Sequence, residues 1–116
     1  MNMKDYLDQL ESKTLEFKED LPSSRRLAQT VCAFANGAGG KLIIGVRDEP
    51  REIMGIASDK VIDYEERISN TIFDSIKPTV SMRVTTHHLG EEDALLLVIE
   101  VYPGNLKPSY LKGRGG

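Results

Sequence analysis

Three carboxylates and one lysine in this sequence have the residue types and spacing for work on a phosphodiester. Glu16 and Lys18 alternate along a predicted strand, Thr14-Leu15-Glu16-Phe17-Lys18, so both project from one face while Leu15 and Phe17 take the other. Glu11 stands one turn of loop earlier. Asp48 follows an apolar run that reads as a central strand, and binding groups collect beyond such strands in open α/β sheets. If the three acids met, Glu11, Glu16 and Asp48 would hold Mg²⁺ or Mn²⁺ through oxygen ligands and position a hydrolysis, with Lys18 neutralising a phosphate. The competing reading is solvated strand-edge charge, with Glu16 and Lys18 a surface pair worth at most about 1 kcal/mol.

Other chemistry is poorly served. Gly37-Ala38-Gly39-Gly40-Lys41 invites comparison with a phosphate loop, but Ala35 stands where the first glycine belongs and Leu42 where Ser or Thr should bind magnesium. Its order is also reversed, running from helix to strand, so it does not present amides at a helix N-terminus. A glycine-rich helix stop and tight turn is expected, and ATP binding is not. His87, His88 and Cys32 lack zinc-ligand spacing, which leaves a buried thiol and two exposed hairpin histidines. No nucleophile signature accompanies the serines.

The elements that must position these residues follow from periodicity. Residues 1–10 read as a short amphipathic helix with Tyr6, Leu7 and Leu10 on one side. After the first strand, Leu21-Pro22-Ser23-Ser24 breaks the chain and supplies a serine N-cap. The next helix carries Leu27, Val31, Phe34 and Ala35 as an apolar stripe and stops at Asn36-Gly37. Lys41 to Val46 is nearly all apolar, as in a strand covered on both faces. A turn at 47–50 leads to a shorter strand around Glu52 to Gly55. Ser58 or Asp59 caps a second helix with Val61, Ile68, Ile72 and Ile76 inward and Tyr64 covering the gap at Glu65; Pro78 marks its end. Val80 to Thr86 and Ala94 to Val101 read as a closing hairpin. The expectation is one α/β (α+β) domain over residues 1–116, a mixed β-sheet in two layers with two main packed helices. From Pro103 onward the chain reads as surface loop.

Length and composition agree with a single soluble domain. The chain has 116 residues, 40% hydrophobic and 28% charged, with one cysteine and therefore no internal disulfide. No apolar run approaches the roughly 20 residues needed to span a bilayer, and Met1 to Asp8 lacks a signal pattern. A cytoplasmic location without membrane contact is expected. Net charge is −3, yet Lys107, Lys112 and Arg114 fall in the last ten residues without an acid, and Arg25 and Arg26 open the first long helix.

Four blocks together resemble a known family. Glu11-Ser12-Lys13-Thr14-Leu15-Glu16-Phe17-Lys18 resembles the opening of the Schlafen-like AlbA-type domain. Ala33 to Gly40, followed by Leu42 to Asp48, is similar to its most specific signature. Ile68-Ser69-Asn70 through Ile76-Lys77-Pro78, and Lys107 to Gly113, resemble its later blocks. The resemblance implies DNA binding within a bacterial transcriptional regulator, with this chain the N-terminal part of a longer protein; an older label for the family is divergent AAA-type ATPase. It also implies an alternative, a metal-dependent endoribonuclease whose three acids fall on Glu11, Glu16 and Asp48. A third reading is an oligomerisation domain that binds no nucleic acid. For the leading reading, Lys18, Arg25, Arg26, Lys107, Lys112 and Arg114 are the expected phosphate contacts on DNA or RNA. An open sheet edge makes a homodimer an expected arrangement.

Overall fold

The computed structural model describes residues 3–104 and 110–111. The expected helix over residues 1–10 is shorter, α1 at Met3–Leu7. Leu10 is 85% exposed and joins no apolar side. Strand β1 (Leu15–Lys18) leads into α2 (Ser24–Asn36), and α2 into β2 (Gly40–Ile44), which lies parallel to β1. This βαβ unit is anchored at its turn, where the Ser23 hydroxyl accepts the Arg26 N–H at 3.2 Å and caps α2.

The predicted Lys41–Val46 strand breaks at Gly45. Its φ of 110° belongs to glycine, and a Cβ there would lie 2.8 Å from Leu96 Cδ2. The chain then leaves the main sheet as β3 (Val46–Arg47), which pairs with β4 (Glu52–Ile53) in a separate ribbon. After a 3₁₀ turn at Ser58–Lys60, α3 runs over Val61–Ser75, and among the described residues no side chain caps its start. Short β5 (Ile76–Lys77) follows, then the hairpin of β6 (Met82–Leu89) and β7 (Ala94–Val101). The last described element, β8 (Tyr110–Leu111), pairs antiparallel with β5.

The main sheet has the order β1-β2-β7-β6, with β1 and β2 parallel and the other pairs antiparallel. Both faces are covered, as the unbroken apolar run of β2 requires: Leu42, Ile43 and Ile44 have no exposed surface. On one face, Leu42, Ile44, Leu97 and Ile99 pack under the stripes of α2 and α3, with Tyr64 buried where Glu65 interrupts the stripe. The other face is not bare, as a two-layer arrangement would leave it. Leu15, Phe17, Ile43, Val46, Leu96 and Val98 form a second cluster beneath Met3, Tyr6 and Leu7. Short as it is, α1 therefore closes the sheet on the side away from the long helices.

Candidate nucleic-acid interface

Alternation in β1 sends Leu15 and Phe17 beneath α1 and turns Glu16 toward α2. On α2, the residues opposite the apolar stripe recur at helical spacing: Arg26, Gln29, Thr30 and Ala33. These two rows face each other across a groove of about 640 Å³. Ser12, Lys13 and Thr14, in the turn before β1, form one end, and Gly37 and Ala38, past the end of α2, line it as well. The first two blocks of the sequence resemblance therefore meet in one groove, whose α2 wall is completed by Arg26, Gln29 and Thr30 from outside them. It carries two cations, Lys13 and Arg26, against one acid, Glu16, whose Oε2 accepts a long bond of 3.4 Å from the Thr30 hydroxyl. The hydroxyls of Ser12 and Thr14 lie 3.3 Å apart at its end. A positively biased trough lined with hydroxyl and amide groups can take a phosphodiester backbone.

The glycine loop serves packing. The Gly37 N–H donates to the carbonyls of Ala33 and Phe34, both at 3.1 Å, and the Gly39 N–H to Phe34 at 2.9 Å. These amides are spent on the end of α2. Gly40 lies against the Phe34 ring, where a Cβ would fall 2.5 Å from a ring carbon.

The structure does not gather the three acids. Glu11 and Asp48 line one cleft of about 470 Å³ beside α1, whereas Glu16 faces the groove. Each is already engaged. Glu11 Oε2 accepts the Phe17 N–H at 2.9 Å, and Ser12 bridges Leu15, so this segment folds back along β1 and occupies its outer edge. Asp48 was carried off with the β3–β4 ribbon when the chain turned at Gly45, and its Oδ1 accepts from Arg51 at 2.8 and 3.2 Å. Among the described residues no three acids, histidines or cysteines converge as metal ligands. The residues present do not fit the Mg²⁺ or Mn²⁺ centre that the resemblance implied.

The sequence gives no hint of the part Arg51 plays. Its guanidinium lies 3.8 Å from the Phe17 ring centroid and donates to the carbonyls of Leu7 at 2.7 Å and Gln9 at 2.8 Å. It ties α1, β1 and the β3–β4 turn together. Of the expected phosphate contacts, Arg26 lines the groove; Arg25 is exposed beside it on the first turn of α2, and Lys18 is half-buried farther along β1. Lys107, Lys112 and Arg114 lie outside the described residues. Lys13, Gln29 and Thr30 were missed; the polar row on α2 at the period of its apolar stripe was the signal for the last two.

Ionisation elsewhere is structural. The Tyr64 hydroxyl donates to Asp20 Oδ1 at 2.6 Å, which holds the Asp20 carboxyl below its usual range and pushes the tyrosine up. Burial pushes the Cys32 thiol up, away from reactivity. Of the two hairpin histidines, His88 is exposed and 3.2 Å from Asp93, but His87 is half-buried, its Nε2 3.0 Å from the Thr85 hydroxyl.

A small βαβ sheet domain with a cation-bearing groove between its edge strand and first long helix is the class that these features define. Residues 11–116 match the family described as Schlafen, AlbA_2, and the chain belongs to that family. It is 27% identical over 86 residues to the uncharacterized ATP-binding protein UU034 of Ureaplasma parvum, covering 72% of this chain and 24% of that protein. The DIP2311 protein of Corynebacterium diphtheriae is similar in structure at a TM-score of 0.49 and 16% identity, covering 91% of this chain and 22% of that one. The chain thus spans about a quarter of the length of these relatives. Among the described residues no helix is long and apolar enough to cross a membrane.

Proposed function

We propose that this domain binds nucleic acid along the β1–α2 groove, as the DNA-binding part of a transcriptional regulator. Lys13 and Arg26 contact phosphates within the groove, and Arg25 and Lys18 extend the positive surface at its flanks. The observation that carries this reading is the convergence of two separate sequence blocks, Ser12 to Glu16 and Ala33 to Ala38, on one cation-bearing trough. The ATP-binding description of the Ureaplasma relative does not extend well to this chain, because the Gly37 and Gly39 amides are bonded to carbonyls of α2. Assembly into a homodimer belongs to the same proposal. With the outer edge of β1 occupied, β6 is the edge of the main sheet where a second copy would add.

The test is a mobility-shift titration of DNA duplex and structured RNA with the wild type, Lys13→Glu, Arg26→Glu and Lys4→Glu. Lys4 lies on α1, across the sheet from the groove. Groove variants that lose binding while Lys4→Glu keeps it, with the nucleic acid recovered intact, support the proposal. Equal binding by all four proteins refutes it.

A further inference from the structure

Away from the groove, one area of surface carries aromatic rings that the core does not use. Phe73 on α3 and Tyr110 on β8 are each 62% exposed. Lys77 stands between them. Its Nζ lies 4.9 Å from the centroid of the Phe73 ring and donates to the Phe73 carbonyl at 3.3 Å. In the β5–β8 ribbon Lys77 is registered directly opposite Tyr110, so the two side chains share a face. Their neighbours Ile76 and Leu111 turn the other way and join the main core. The result is two open rings flanking one ammonium group.

That combination selects its occupant. A purely apolar partner would have to strip water from the Lys77 ammonium without replacing its hydrogen bonds. A nucleotide satisfies both features, because its base stacks on a ring while its phosphate meets the cation.

Building on the nucleic-acid reading above, we propose that Phe73, Lys77 and Tyr110 form a stacking platform for unpaired bases of a bound single strand. Duplex DNA, whose bases are already stacked, gains nothing from it.

The experiment compares fluorescence anisotropy of a labelled oligothymidylate, an oligouridylate and a duplex with the wild type, Phe73→Leu and Tyr110→Leu. Leucine keeps apolar surface and removes the ring, and thermal melts verify that both exposed-site variants remain folded. Each variant should bind the single strands at least about fivefold more weakly and the duplex as the wild type does, with the salt dependence unchanged. Leucine variants that bind single strands as tightly as the wild type overturn the platform and leave the groove reading standing. So does an equal loss for single strand and duplex. A wild-type dimer that Phe73→Leu converts to monomer in sedimentation assigns this face to a second copy and overturns the platform as well. A wild type that binds no nucleic acid removes both proposals together.

Discussion

Gly40→Ala isolates what the glycine-rich segment does. A Cβ on Gly40 would lie 2.5, 2.7 and 2.7 Å from three carbons of the Phe34 ring. Phe34 is only 5% exposed, with Val31 and Ala35 buried beside it, so the ring can yield only by shifting toward the groove that it helps to line. Overpacking of this kind costs about 2–3 kcal/mol. In a domain of this size the melting temperature should fall by roughly 10 °C. Gly90→Ala is the control: its φ is 81°, but nothing lies within 4 Å, so only backbone strain of about 1 kcal/mol applies. Gly39→Ala combines a φ of 84° with a Cβ 2.7 Å from the Val101 carbonyl oxygen, and should exceed the control clearly. Thermal unfolding followed by circular dichroism measures all three. Combining Gly40→Ala with Phe34→Leu should recover part of the loss, because the two changes meet at one contact. A Gly40→Ala melt that matches the wild type would refute the close-packing account and reopen a ligand role for the loop.

Other outcomes follow from the same contacts. Arg51→Ala should cost about 2 kcal/mol by removing its charge-assisted bonds to Asp48, Leu7 and Gln9, and Arg51→Lys should restore less than half of that in denaturant melts. Because Asp20 is held low mainly by the Tyr64 hydroxyl, its contribution to stability is complete above the ordinary aspartate range and is lost as pH falls through the lowered folded value. Tyr64, raised by the same bond, contributes below its ordinary range and loses that contribution as pH rises through the raised value. Carboxyl NMR titration should therefore move Asp20 upward toward the ordinary value in Tyr64→Phe; an unchanged titration would contradict the bond. Magnesium ATP at millimolar concentration should leave the melting temperature unmoved, since a ligand of the folded state would raise it.

The strand and helix pattern was legible because each buried face repeats at its own period. Leu15 and Phe17 alternate with Glu16 and Lys18, and Leu27, Val31 and Phe34 form a stripe. The serine cap and the reversed direction of the glycine loop were equally local, and both hold. Convergence in space was not legible. Glu11, Glu16 and Asp48 looked like one site, but Gly45 turns the chain out of the sheet and gives Asp48 to Arg51. Leu10 reads as the end of an apolar stripe, yet α1 ends at Leu7, where the bonds of its carbonyl and that of Gln9 to Arg51 fix the chain. No local pattern announces a residue such as Arg51, whose partners lie up to 44 positions away. The groove was half-visible: its two blocks stood out in the sequence, but their adjacency depends on the parallel β1–β2 pairing around α2.

The most direct measurement of the central claim is the salt dependence of oligonucleotide binding by the wild type, Lys13→Gln and Arg26→Gln. The groove account predicts that log affinity falls linearly with log salt for the wild type, and that each neutralised cation lowers the slope by roughly 0.7–0.9. Binding that is indifferent to salt, or slopes identical in all three proteins, would contradict it.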